Sequence, residues 1–296
     1  MSSATFSESG VVKTNSHVGG VRKKSRGREI GHAVLVILLM LIFLAIPFWI
    51  LIVTAGKTQA EAVVPSMSLP SQWHMIDNFK EVITDGKILS ALLGSLIVTV
   101  PSVFIALLFG SMAAWIFGRR ASKGMAMLYA LFISGVILPP SVVTIMMLLK
   151  MMGISGTAPG MIFVYVGIYL SVVIFFITGF IRTIPVSLEE SARIDGASPM
   201  KIFFKIIFPL LAPTLASSTI LVVLYIWNDV FYSLFILSGK MDTLPLNLYN
   251  VASAGLYLNN WHLIFAYIIL MTLPLLIVFV IGQRKIISGI TGGAVK

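Results

Sequence analysis

The stretch AVLVILLMLIFLAIPFWILIVTA, from Ala33 to Ala55, carries no charged side chain. As a helix rising ~1.5 Å per residue it can cross the ~30 Å hydrocarbon core of a bilayer, for which about 20 apolar residues suffice. A secretory signal has an apolar core of only about 7–15 residues, so this stretch is too long to be one. It reads as a retained first transmembrane helix, and the rest of the chain repeats the pattern.

Reading outward from one charge cluster to the next gives five further spans, at about 89–117, 126–149, 158–181, 210–238 and 262–283. Apolar residues make up 58% of the chain and charged residues 11%, against about 25% charged in soluble proteins. The excess is organised into span-length runs, not gathered into one soluble core. The expected fold is an all-α integral membrane protein with six transmembrane helices. Pro47, Pro101, Pro139, Pro140, Pro213 and Pro274 fall within the runs, where they would kink helices that their neighbours then support. Gly110, Ser111, Ala113 and Ala114 suit close approach of two helices.

Lysine and arginine set the orientation. With the N-terminus inside, the cytoplasmic segments hold the cations of the N-terminal tail, Arg119, Arg120, Lys123, Arg182, Arg193, Lys201, Lys205, Arg284, Lys285 and Lys296. The outer segments hold Lys57, Lys80, Lys87, Lys150 and Lys240. The positive-inside rule selects this arrangement, with both termini cytoplasmic. Residues 1–30 read as a disordered basic tail, Ser/Gly-rich and then cationic at Arg22, Lys23, Lys24, Arg26 and Arg28, suited to contact with a membrane surface. Residues 31–296 form the transmembrane domain. The net charge of +10 lies at these membrane edges, which argues against nucleic-acid binding. With no cysteine and four scattered histidines (His17, His32, His74, His262), neither disulfides nor a metal site is expected.

The most informative polar segment is the cytoplasmic loop at about 182–209, whose centre reads SLEESARIDGASPMK from Ser187 to Lys201. Ser187 and Glu190 have the spacing of a capping box for a short helix over Leu188–Asp195. Gly196 suits the left-handed residue that ends it. Ser198 and Pro199 suit the cap and first position of a second helix. Capping alone equally fits an ordinary connecting loop. A second feature is Asp229, an acidic residue inside an expected span, which by default suggests a functional site facing the protein interior. Tyr225, Asn228, Asp229 and Tyr232 follow at helical spacing and would share one face, as a polar pathway or as packing glue between helices. Gly56-Lys57-Thr58 resembles the end of a phosphate-binding loop, but Leu51 stands where the earlier glycine is required and a transmembrane helix precedes it.

Glu190-Ser191-Ala192, three residues, Gly196, nine residues, Ile206 and then Phe208-Pro209 resembles the EAA signature of ABC importer permeases. Ser191 and Phe208 depart from it, in place of alanine and leucine. The likeness is to the carbohydrate-transporting, MalG-like class. It extends to Ile184-Pro185, to Tyr225-Ile226-Trp227-Asn228-Asp229, and to the ending from Gly282-Gln283-Arg284 to Gly289–Lys296, covering roughly residues 30–296.

The resemblance implies a type I importer permease fold and a multi-pass protein of a bacterial or archaeal cytoplasmic membrane. It implies import of a mono- or oligosaccharide by alternating access, and no catalysis or cofactor in this chain. The implied partners are a second permease subunit, an ATP-binding cassette ATPase that binds ATP and Mg, and an extracytoplasmic solute-binding protein received by the outer loops at about 56–88 and 239–261. The loop would couple to the ATPase through Ser187, Leu188, Glu190, Ala192, Ile194, Asp195 and Gly196. Leu188, Ala192 and Ile194 would form a rigid knob, and Glu190 would cap the helix. Tyr225, Asn228, Asp229 and Tyr232 would line the substrate pathway. The alternatives are a related permease for a non-sugar solute and an ion-coupled secondary transporter using Asp229. An intramembrane hydrolase lacks its Ser/His, paired-Asp or His-Glu-x-x-His residues.

Overall fold

A computed structural model describes residues 26–138, 140–237, 239–253 and 260–294. Its regular elements are all helical. They divide between two compact units, Met1–Phe48 and Trp49–Lys296. In chain order they begin with α1 (Arg26–Met40), a π-helical turn at Leu41–Ala45, α2 (Ile46–Ala55) and α3 (Met75–Thr84). Next come α4 (Ile88–Arg119), α5 (Lys123–Ile137), α6 (Val142–Met151), α7 (Ala158–Ile181), α8 (Ser187–Ile194) and α9 (Pro199–Ile202). A second π-helical turn (Phe203–Ile207) leads into α10 (Phe208–Leu210), α11 (Ala212–Trp227), α12 (Phe231–Leu237), α13 (Leu244–Ser253) and α14 (Trp261–Ala294). The basic cluster up to Lys24 lies outside the described residues, and helix begins at Arg26, within the segment expected to be a tail.

Among the described residues, four helical stretches are long and apolar enough to cross a bilayer: Ile30–Ala55, Ile88–Arg119, Ala158–Ile181 and Trp261–Ile281. The expected spans at 126–149 and 210–238 are not single straight helices. The first is the pair α5 and α6, bent by 113° around a stretch that holds Pro140. Proline supplies no N–H and disfavours helix in the residue before it. The second follows a 76° bend between Pro199–Leu210 and Ala212–Trp227. There Pro213, in the first turn of α11, cannot donate to the carbonyl four residues back. The count reaches six if each bent pair is one span. Pro101 and Pro274, by contrast, sit inside uninterrupted helices.

Helix α4 packs along α7, and the small residues make that approach possible. A Cβ on Gly110 would come within 2.5 Å of Val173 Cγ1, and one on Gly118 within 2.6 Å of Ile181 Cγ2. Ala106 and Ala114 are fully buried in the same core, with Val173, Ile177 and Ile181. Ser111 donates to the carbonyl of Leu107 at 2.6 Å, so its hydroxyl needs no partner outside its own helix. A second core forms where α3, α4, α13 and α14 meet around Val82, Ala91, Leu244, Leu263 and Tyr267. At its edge the Leu244 N–H donates to Ser95 Oγ at 2.8 Å, and Tyr267 donates to Asn247 Oδ1 at 2.8 Å.

Between α2 and α3 lies a polar knot. Lys57 is 1% exposed, its Nζ donating to Ser66 Oγ at 2.7 Å, Ser68 Oγ at 3.1 Å and the Ser66 carbonyl at 3.2 Å. Three oxygens thus replace the water an ammonium loses on burial. This is a tethering role, consistent with setting aside a nucleotide at Gly56-Lys57-Thr58.

Candidate functional site

Two polar constellations stand out from the apolar helices, one in the loop after α7 and one at the end of α11.

Helix α8 starts at Ser187, one residue earlier than the capping box predicts. Its N-cap position is Val186, and Ser187 makes no capping bond. The C-terminal end follows the expected chemistry. Gly196 has φ +76°, its N–H donates to the Arg193 carbonyl at 3.0 Å, and the Ala197 N–H donates to the Ala192 carbonyl at 2.9 Å. That pair of bonds is a Schellman closure, with Asp195 as C-cap and glycine in the left-handed position. Ser198 then caps α9, accepting from the Lys201 N–H at 3.4 Å, with Pro199 in the first turn.

The residues of this loop divide between an inner and an outer face. Ser187, Leu188, Glu190, Ile194, Asp195 and Gly196 are exposed, Ile194 at 87%. Ala192 is not part of an outward knob. It is buried against the core that holds Ile184, Ile202 and Phe203, so it anchors the helix. Nor is Glu190 the bracing carboxylate; its neighbour Glu189 is. Glu189 is 1% exposed and accepts from Arg119 Nε at 2.6 Å and, more weakly, from Arg193 Nη2 at 3.5 Å. Arg119, the last residue of α4, also donates Nη1 to the Ile181 carbonyl and Nη2 to the Ile184 carbonyl, both at 3.0 Å. One guanidinium therefore joins the end of α4, the carbonyls of Ile181 and Ile184 at and just past the end of α7, and α8. Beside it a cleft of about 620 Å³ is lined by Trp115, Arg120, Arg193, Met200 and Phe203 among others.

The second constellation corrects an expectation. Tyr225, Asn228, Asp229 and Tyr232 do not share one helical face, because α11 ends at Trp227 and α12 starts at Phe231. The cause is local. Asn228 donates its side-chain amide to the Leu224 carbonyl at 2.8 Å. Asp229 turns its carboxylate onto the next helix, accepting from the N–H groups of Tyr232 (3.2 Å) and Ser233 (3.0 Å). Asn and Asp compete with helix interiors in this way and favour ends. Tyr165 of α7 donates to Asp229 Oδ2 at 2.7 Å, and Ser233 Oγ donates to the same oxygen at 3.2 Å. The Asp229 carboxylate is thus surrounded by four protein donors.

Helix α7 reconnects the scattered residues. Tyr169 lies one turn beyond Tyr165, with ring centroids 6.2 Å apart, and stacks on Tyr225 at 5.7 Å and 7°. Tyr225 is exposed and Tyr232 half-buried, with the Tyr232 ring edge-on to Phe231. A cavity of about 450 Å³ opens beside the stacked pair, lined also by Leu138, Pro140, Phe175 and Phe176. Sequence reasoning missed Tyr165, Tyr169 and Ser233. Two tyrosines four residues apart in the apolar run of α7 were the available signal.

These geometries can be set beside known proteins. Residues 92–291 match the family model described as binding-protein-dependent transport system inner membrane component. The melibiose/raffinose/stachyose import permease protein MelC of Bacillus subtilis (strain 168) is 35% identical over 263 residues, covering 85% of this chain and 91% of that protein. The crystal structure of a bacterial ABC transporter involved in import of the acidic polysaccharide alginate superposes with TM-score 0.73 at 20% identity. It covers 88% of this chain and 98% of that one. A second structure, of the bacterial alginate transporter in complex with an alginate pentasaccharide-bound periplasmic protein, gives TM-score 0.64 at 16% identity, covering 87% and 93%.

Proposed function

The chain belongs to the family of binding-protein-dependent transport system inner membrane components, a transport permease and not an enzyme, and from that membership we propose that it is one membrane-spanning subunit of an ATP-driven sugar importer. The observation that carries the sugar reading is the likeness to a permease of galactoside oligosaccharides over nearly the whole chain. The aromatic and hydroxyl-rich wall of Tyr169, Tyr225 and Tyr232 supports it. Pyranose C–H faces pack on aromatic rings, while the hydroxyls take hydrogen bonds from phenol and amide groups. Asn228 carries such an amide just past the end of the helix that holds Tyr225, with one of its N–H groups on the Leu224 carbonyl. Asp229, held by Tyr165 and Ser233, fixes the break that points these residues away from a regular helix.

In this reading the enzyme is a separate subunit. An ATP-binding cassette ATPase binds ATP and Mg and docks on the loop after α7, presenting itself to Leu188, Glu190 and Ile194. A second permease subunit completes the pathway, and an extracytoplasmic binding protein delivers solute to the outer segments that carry α3 and α13. The lysine and arginine distribution puts both termini in the cytoplasm. Closure of the ATPase would move the loop and, through it, the spans, opening the pathway to alternate sides.

The test is purification of the tagged chain in mild detergent, with partners identified by mass spectrometry, followed by uptake of labelled oligosaccharides into proteoliposomes. Recovery of an ATPase, a second permease and a binding protein, with uptake requiring ATP, is the expected result. A chain that purifies alone and transports solute without ATP would overturn the proposal and return Asp229 to the position of a coupling-ion site.

A further inference from the structure

The Arg119–Glu189 bridge has a geometry that ordinary loop anchoring does not require. Loops at a cytoplasmic face can be tethered by surface ion pairs, which water screens and which contribute little. This bridge is instead removed from water, with side-chain exposure of 13% for Arg119 and 1% for Glu189. It spans 70 positions in sequence. The guanidinium engages three separate groups: a carboxylate on α8, the carbonyl of Ile181 at the end of α7, and the carbonyl of Ile184 beyond it. A planar guanidinium spreads its donors in fixed directions and so reaches acceptors on separate segments, whereas an ammonium donates from a single atom. Beyond the cleft the loop is held again, where Phe203 packs its ring 5.7 Å from that of Trp115, four residues before Arg119 on α4. The loop is therefore gripped on both sides by the last turns of α4.

We propose that Arg119 and Glu189 are a positioning pair that makes α8 move as one body with α4 and α7, so that force applied to the loop's outer face reaches the spans without slipping; this rests on the importer reading. Sliding α8 away from α4 would leave a buried carboxylate facing a buried guanidinium across a gap. That arrangement is penalised because the Glu189 carboxylate, 1% exposed, would lose its closest countercharge. Small sliding motions are thus suppressed, and the remaining freedom is movement of α4, α7 and α8 together. Arg193, exposed and at the edge of Glu189, adds a weaker second contact, while Ile194 and Leu188 on the outer side stay free to meet a partner.

The experiment uses the complete complex in proteoliposomes and measures ATP hydrolysed per solute imported, together with the amount of ATPase subunit that co-purifies. Glu189→Gln keeps the side-chain volume and removes the charge. Arg119→Lys keeps the charge and removes the three-way fork. We expect both complexes to retain the ATPase subunit and to hydrolyse ATP within about twofold of wild type, while import per ATP falls tenfold or more for Glu189→Gln and less for Arg119→Lys. Unchanged import per ATP in both variants would overturn the proposal. So would loss of import that merely follows loss of the ATPase subunit or of assembled complex, since the bridge would then serve folding alone. Failure of the importer reading is seen separately, as a wild-type chain that purifies without an ATPase.

Discussion

Glu189 is buried and Asp229 half-buried in a mostly apolar chain, and the two carboxylates are stabilised in opposite ways. Glu189 meets a full positive charge, the Arg119 guanidinium at 2.6 Å. Asp229 meets dipoles: two backbone N–H groups, the Ser233 hydroxyl and the Tyr165 phenol, between 2.7 and 3.2 Å. A charge pair in a low dielectric resists being pulled apart, whereas a ring of dipoles spreads the same duty over several modest bonds and leaves the neighbouring side chains free. The first arrangement suits a joint that must transmit force. The second suits a helix break whose aromatic neighbours can meet a passing solute.

Removing one partner from each carboxylate tests that contrast. Arg119→Ala leaves the buried Glu189 with only the 3.5 Å contact to Arg193, and should cost about 3–5 kcal/mol in denaturant titrations of the micelle-embedded protein. Asp229→Ala strips the start of α12 of its acceptor and removes the shorter of the two hydrogen bonds of the Tyr165 hydroxyl. It should cost less, about 1–2 kcal/mol, because each lost bond is individually small and the Tyr165 hydroxyl keeps Ser233 Oγ at 3.1 Å. Equal losses would show that the dipole ring binds as firmly as the charge pair and would break the comparison. Tyr225→Ala, on the exposed side of the stacked pair, should leave stability within about 0.5 kcal/mol while raising the solute concentration needed for half-maximal uptake several-fold.

The smallest expected effect comes from a third carboxylate, held by dipoles as Asp229 is, but in water. Glu61 accepts from the Ser71 N–H at 3.0 Å and the Thr58 N–H at 3.3 Å. Hydrogen bonds from Ser71 first, and then from Thr58, lower its pKa from the ordinary 4.5 to about 2. A folded-state pKa below the unfolded one gives stability that is present above about pH 4.5 and is lost as pH falls toward about 2. The segment around Trp49 and Trp73 should therefore keep its tryptophan fluorescence from neutral pH to about 4.5 and loosen below it. Glu61→Gln should flatten that dependence.

What could be read from the residues in advance was what is local or periodic. Apolar runs marked the membrane helices, because covering ~30 Å of hydrocarbon needs an unbroken stretch. Gly196 announced its left-handed turn, because the closing bonds lie within a few residues of it. The same reading chose Glu190 over Glu189. Two adjacent carboxylates differ by ~100° around a helix, and which of them faces inward is decided by Arg119, 70 residues away. The break at Asn228-Asp229 was signalled by two residues that favour helix ends, but the apolar runs on either side outweighed them in a reading based on span length. Tyr165 and Tyr169 went unnoticed because tyrosines in an apolar run look like core until a partner on another helix is known.

The outer face of the loop after α7 is the surface on which an ATPase would take hold, and Ile194→Asp alters that surface at its most exposed apolar point. Ile194 is 87% exposed, so the substitution should leave the chain folded and in the membrane. The expected result is an ATPase subunit that no longer co-purifies and a loss of ATP-dependent uptake. Undiminished co-purification with wild-type uptake would contradict it.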